Sequence, residues 1–181
     1  MRNLDYIAIA SIVVLVFVLR LYFLKISKAN EKKILENGGV EYGVKNSKRI
    51  TILHICLYAF SVIETLIRKP MFDSKSTLGL ALIIFSMFML FTVTRLLKDI
   101  WTIKLMLLKD HKYVDHWLFR NVKHPNYYLN IAPELIGITL LCHALFTAVI
   151  ILPLYAVVLY IRISEEEKIL KEIIIPNSKQ I

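Results

Sequence analysis

Long apolar runs separated by short polar segments set the pattern of this chain. Residues 6–24 are apolar with one interruption at Arg20, and residues 50–67, 78–97 and 135–161 form three further runs. Each reaches or nearly reaches the roughly 17 to 25 residues that carry a helix across a bilayer. Counted from Tyr127 to Ile163, the last run is long enough for two short crossings, and a turn near Cys142, His143 and Ala144 would divide it into a helical hairpin. The pattern therefore predicts an all-α integral membrane protein with about five transmembrane helices in a single domain, 1–181. The expected spans are about 4–24, 50–67, 78–97, 127–142 and 146–163, the last two paired as the hairpin.

Composition agrees with that class and removes others. Apolar residues make up 57% of the 181 and the mean hydropathy is +0.59, well above the roughly half-apolar composition of soluble domains. The first run ends in Leu21-Tyr22-Phe23-Leu24-Lys25 without a small-residue cleavage site, so it is expected to stay as an anchor. A formal net charge of +9 could point to nucleic acid, but the basic residues sit between the apolar runs, where positive charge sets membrane orientation. A lipid bilayer is the expected partner and nucleic acid is not. Residues 25–49 carry seven Lys or Arg and residues 95–123 another seven, against three in residues 68–75. Both long connections are thus expected in the cytoplasm and the N-terminus outside, with a bacterial plasma membrane as the expected location. The hairpin then returns the tail, with Arg162, Lys168, Lys171 and Lys179, to the cytoplasmic face. Cys56 and Cys142 lie in apolar runs with no paired spacing, so neither a disulfide framework nor a metal site is expected.

Two polar clusters flank the predicted hairpin. The first, Phe119-Arg120-Asn121-Val122-Lys123-His124-Pro125-Asn126-Tyr127, precedes its first helix. Pro125 suits a helix start, which would leave the N–H groups of Asn126, Tyr127 and Tyr128 free to attract a carboxylate. On its own this segment reads equally well as an interfacial belt of Lys, His and Tyr. The second, Arg162-Ile163-Ser164-Glu165-Glu166-Glu167-Lys168, leaves the last helix. Arg162 and Glu166 share a helix face, and three adjacent carboxylates require full solvation or a cationic partner. By itself it reads as a solvated helix end with one i,i+4 ion pair.

Arg20, His54, Glu64 and Glu134 lie inside the apolar runs, where ionisable side chains are costly and are functional candidates. Arg20 can snorkel from near its helix end, and Glu64 can pair with Arg68 four residues on. Glu134 has no such partner nearby in sequence. No Gly-rich strand-to-helix loop, P-loop, HExxH or nucleophile signature is present, which disfavours Rossmann-type methyltransferases and hydrolases.

Taken in order, His124-Pro125-Asn126-Tyr127, then Glu134 and Gly137, then Arg162-Ile163-x-x-Glu166-Glu167-x-x-Leu170 resemble the isoprenylcysteine carboxyl methyltransferase family, in its small bacterial branch. The resemblance extends upstream through Trp101-Thr102-x-Lys104, Leu53-His54, Glu64, Asn30-Glu31, Leu35 and Gly38-Gly39-x-Glu41-Tyr42-Gly43. It implies a helical membrane enzyme that binds S-adenosylmethionine in a cytoplasmic pocket and admits a lipophilic acceptor from the bilayer. By motif position, Lys123, His124, Pro125 and Tyr127 would line the cofactor pocket, and Glu166 and Glu167 would face the cofactor's amino, ribose or sulfonium groups. Arg162 and Glu166 would be catalytic, with Arg162 orienting the acceptor's anionic oxygen and Tyr127 and Glu134 as secondary candidates. Lys123 stands where the family usually has arginine, Trp117-Leu118-Phe119 where it has Gly-Pro-Tyr, and Leu129 where a glycine is common.

The acceptor stays open between a prenylated cysteine carboxylate and the phenolic or enolic oxygen of a lipid-like alkylresorcinol or alkylpyrone. Three other readings remain beside it: a phospholipid N-methyltransferase, which shares a paired-glutamate motif, a non-catalytic membrane protein, and a sterol-reductase-like enzyme that would depend on NADPH.

Overall fold

The computed structural model describes residues 2–108 and 116–169. Leu170 and the basic tail with Lys171 and Lys179 lie outside the described residues. In chain order the elements are α1 (Arg2–Glu36), β1 (Val40–Tyr42), α2 (Val44–Arg68), α3 (Ser74–Leu97), a 3-10 turn (Lys98–Ile100), β2 (Leu105–Leu107), α4 (Trp117–Asn121), a π-helical turn (Asn126–Ile131), α5 (Ala132–Leu141) and α6 (Leu145–Ile169). Helices α1, α2, α3 and α6 are each long and apolar enough to cross a bilayer. The protein is thus a multi-pass helical membrane bundle.

The helices run past the apolar segments that announce them. Beyond residue 24, α1 continues to Glu36 because Phe23, Ser27, Asn30 and Ile34 form a buried stripe at helical spacing. The bulky side chains of Phe88, Val149, Ile150 and Tyr160 are exposed on the outside of the bundle, as a lipid-facing surface requires. Packing pairs α3 with α5 and the π turn, α2 with α6, and α1 with α2. Connections alternate between the two ends, so residues 37–43, 98–108 and 116–125 share one end with the start of the π turn and the end of α6.

Small residues bring α3 and α5 together. A Cβ on Gly79 would meet the Leu141 backbone nitrogen at 2.5 Å and the Gly137 carbonyl at 2.6 Å, and one on Gly137 would meet the Gly79 carbonyl at 2.8 Å. Backbones this close gain dispersion contacts that replace the hydrophobic drive missing between helices in lipid. Past α5 the chain turns at Cys142–Ala144, with His143 at φ 51° and the Ala144 N–H bonded to the Thr139 carbonyl at 2.9 Å. Glu64 then serves the next helix: its carboxylate accepts from the backbone N–H groups of Phe146 (3.2 Å) and Thr147 (3.1 Å), and from the Thr147 hydroxyl (3.0 Å). It also makes the expected pair with Arg68 at 3.3 Å. A residue of α2 is thus the N-terminal cap of α6.

Arg20 does not snorkel. Its Nε donates to Glu134 Oε1 (2.7 Å) and its Nη2 to Asn130 Oδ1 (2.7 Å), and Nη2 also pairs with Glu134 Oε2. The Tyr58 hydroxyl donates to Glu134 as well, and His54 approaches it at 3.8 Å. Glu134, isolated in sequence, is therefore the fully buried centre of a polar group drawn from α1, α2 and α5. Breaking such a pair by removing one partner costs about 3 to 5 kcal/mol, because the other charge is left uncompensated.

A Gly79→Ala substitution should force α3 off α5 and destabilise the protein by about 1 to 3 kcal/mol. Thermal unfolding in detergent should show the lowered midpoint, while Leu78→Ala on the exposed neighbour should change it little.

Candidate functional site

The site lies at the end where the polar connections gather. Asn30 on α1 donates to the carbonyls of Lys98 (2.9 Å) and Trp101 (2.8 Å), and the Ser27 hydroxyl accepts from Ile103 N–H at 2.9 Å. Trp101 is buried edge-on against Phe23. Lys104 lies between Glu41 (3.0 Å) and Glu31 (3.3 Å), and its hydrogen bond to Glu41 with both carboxylate charges holds the ammonium above its usual pKa. Antiparallel pairing of β1 with β2, Glu41 opposite Met106, completes a strap over residues 98–107. The upstream residues Asn30, Glu31, Glu41, Trp101 and Lys104 thus belong to one construction.

Beneath this strap the two clusters flanking α5 and α6 meet. His124 Nδ1 is 3.1 Å from Glu166 Oε1, and Nε2 is 3.6 Å from Glu167 Oε1. The Tyr127 hydroxyl donates to Glu166 Oε2 at 2.6 Å, and its ring stacks on His124. Arg162, 2% exposed, donates from Nε to the Tyr127 hydroxyl (3.3 Å), from Nη1 to the Ser47 hydroxyl (3.0 Å) and from Nη2 to the Ile103 carbonyl (3.4 Å). These bonds take the place of the i,i+4 pair between Arg162 and Glu166. His124, Pro125 and Tyr127 are buried, whereas the side chains of Glu166 and Glu167 keep 25% and 38% exposure. Lys123 is exposed and joins none of these bonds.

Helix geometry differs from the expectation at two points. The N–H groups of Tyr127 and Tyr128 both bond to the His124 carbonyl, at 3.0 and 3.2 Å, so they are not free to hold a carboxylate. The chain after Pro125 also begins as a π turn, with the Ala132 N–H reaching the Tyr127 carbonyl five residues back. Pro133 supplies the reason, since it has no N–H for the Leu129 carbonyl and its ring crowds that carbonyl in a regular α-helix.

Sequence reasoning missed Asn46, Ser47 and the Ile103 carbonyl. Asn46 donates to Glu165 Oε1 at 2.8 Å, giving the first carboxylate of the series its own partner. Gly43 makes this approach possible: its φ is 60°, and a Cβ there would collide with Glu165 and lie 3.1 Å from Arg162 Nη1. The Gly43 in the upstream motif was the available signal, because a glycine just before a helix marks a left-handed or tightly approached backbone.

Chemically the site offers one buried cation, Arg162, and two partly exposed carboxylates sharing a histidine. His124 Nε2 is buried with no hydrogen-bond partner among the described residues, Glu167 being too distant for one. Burial pulls the His124 pKa down, but the hydrogen bond to Glu166 and the charges of Glu166 and Glu167 outweigh it and hold the value above that of a free imidazole. A raised value means that protonated His124 stabilises the fold fully below about pH 6.5, and that this contribution is lost as pH rises through the raised value. Glu166→Gln should lower the His124 pKa in an NMR titration and flatten the loss of thermal stability as pH rises above about 6.5.

Comparison with known proteins shows the family. Residues 78–172 match the model of the isoprenylcysteine carboxyl methyltransferase (ICMT) family. An uncharacterized protein of Haemophilus influenzae is 43% identical over 152 residues, covering 84% of this chain and 88% of the relative. The uncharacterized protein YpbQ of Bacillus subtilis is 27% identical over 162 residues, covering 89% of this chain and 95% of that protein. No solved structure matches. The matched span is more than half of the chain and holds His124, Tyr127, Arg162, Glu166 and Glu167 together, and this membrane protein belongs to the isoprenylcysteine carboxyl methyltransferase family.

Proposed function

We propose that this protein is an S-adenosylmethionine-dependent methyltransferase acting at the cytoplasmic face of a membrane. Its product would be a methyl ester or ether on a lipophilic acceptor, either an isoprenylcysteine-like carboxylate or the phenolic or enolic oxygen of an alkylresorcinol or alkylpyrone. The observation that carries this reading is the meeting of His124 and Tyr127 with Arg162, Glu166 and Glu167 at one end of the bundle. In the topology we favour, the π turn and α5 form a fifth crossing, hairpin-paired with α6 in a single membrane domain. The N-terminus is then outside, and the site shares the cytoplasmic face with both basic connections.

The donor set fits such a cofactor. Two partly exposed carboxylates suit its amino and sulfonium cations, and His124 Nε2, which makes no hydrogen bond among the described residues, leaves a further polar position beside them. When bound, S-adenosylmethionine supplies an electrophilic methyl on sulfur. Glu166 and Glu167 would hold the cationic end, with His124, Pro125 and Tyr127 as the wall. Arg162 would fix the acceptor oxygen, replacing the long 3.4 Å contact to the Ile103 carbonyl, and the Tyr127 hydroxyl between Arg162 and Glu166 keeps the guanidinium in place. An oxyanion is already nucleophilic, so orientation and charge complementarity are what the protein has to add. An anion-holding arginine favours an oxygen acceptor over the amine of a phospholipid.

Glu167→Ala should weaken S-adenosylmethionine binding by roughly tenfold or more in calorimetry on detergent-purified protein, with NADPH as a ligand that does not bind. Arg162→Ala should mainly lower turnover, on the order of 100-fold, with either acceptor class. Wild-type behaviour in both variants would remove this site.

A further inference from the structure

Asn130 has no place in the chemistry just described, yet it is fully buried and hydrogen-bonded through both ends of its amide. Its Oδ1 accepts from Arg20 Nη2 (2.7 Å) and Ser86 Oγ (3.1 Å), its carbonyl accepts from the same Ser86 hydroxyl (2.9 Å), and its Nδ2 donates to Asn126 Oδ1 (2.8 Å). One side chain thus joins α1, α3 and the first residue of the π turn.

The position of that turn gives the bonds a consequence. In a regular α-helix, Tyr127, Asn130 and Glu134 would fall at i, i+3 and i+7 on one stripe, competing for the same neighbours. Here they face different partners: Tyr127 meets Glu166 and Arg162 of α6, while Asn130 and Glu134 meet Arg20 of α1. The π turn inserts one extra residue and so rotates what precedes it by about 100° relative to α5, which accounts for the split. Pro133 withholds the α-helical donor from Leu129, and the Asn130–Asn126 bond spans the widened turn from within.

We infer that Asn130, anchored by Arg20 and Ser86, is a positioning residue that holds the π turn and thereby aims Tyr127 and His124 at Glu166. The inference rests on the reading of Tyr127 and Glu166 as part of the methyl-transfer site. Its geometric core is tested without that reading.

The experiment places 3-fluorotyrosine at position 127 and records its 19F resonance in detergent, where the shift reports the hydroxyl's bond to Glu166. Asn130→Ala should move the resonance toward the position given by Glu166→Gln. Asn130→Asp, which keeps an acceptor for Arg20 and can accept from Asn126 Nδ2 once that amide turns over, should return it toward wild type. Pro133→Ala restores the missing backbone donor and should shift the resonance in the same direction as Asn130→Ala while the protein stays folded. S-adenosylmethionine binding should weaken by roughly tenfold in Asn130→Ala and recover in Asn130→Asp. A wild-type resonance in folded Asn130→Ala and Pro133→Ala protein, with only thermal stability changed, would overturn the inference. A shifted resonance in protein that binds no S-adenosylmethionine even as wild type would uphold the positioning of Tyr127 and reject the proposed function instead.

Discussion

A charge placed in hydrocarbon has to find its partner inside the protein, and this bundle is organised by that requirement. Arg20 and Glu134 come from the first and second halves of the chain, and neither could stay ionised in a bilayer alone. Their pairing, with Tyr58, Asn130 and His54 around it, fixes α1 and α2 against the α5 segment. Glu64 answers the same requirement at the other end, where its carboxylate absorbs backbone donors of α6 that would otherwise be orphaned. Apolar packing of such helices is nearly as good against lipid as against each other, so the polar bonds and the Gly79–Gly137 approach supply the specificity of assembly.

The same helices that carry this central group also carry the candidate site. On α2, Ser47 and His54 are seven residues apart, and on α6 so are Tyr155 and Arg162. His54 and Tyr155 meet at 3.3 Å beside Glu134, whereas Ser47 and Arg162 meet at 3.0 Å beside Tyr127. Two polar levels therefore stand on one pair of helices, about 10 Å apart along the axis. A regular helix through residues 126–141 would continue the stripe, but the π turn redirects Tyr127 toward α6. The central ion pair and the site are in this way mechanically linked through Asn130 and Asn126.

The run of three glutamates shows how tertiary structure resolves a local conflict. Adjacent carboxylates on one helix end repel, and they need full solvation or a cationic partner. Each instead has its own neighbourhood: Glu165 bonds Asn46, Glu166 bonds Tyr127 and His124, and Glu167 faces the other nitrogen of His124. Only the last two stand beside the histidine, and in the proposed function it is they that would hold a cationic cofactor.

The sequence by itself determined the multi-pass helical class, because apolar length is a one-dimensional property that a bilayer reads directly. It also singled out His124, Tyr127, Arg162, Glu166 and Glu167, whose order and spacing form a motif, and it paired Glu64 with Arg68 because i,i+4 neighbours meet on any helix. Only the tertiary structure decided where Arg20 points, since Glu134 lies 114 residues away and no local rule connects them. The roles of Asn46, Ser47 and the Ile103 carbonyl were hidden for the same reason, as was Glu64's capping of α6 across 83 residues. The π turn was withheld in a different way: Pro133 announced a missing backbone bond, but whether the helix kinks, ends or widens there depends on the side chains of α1 and α3 that hold Asn130 in place.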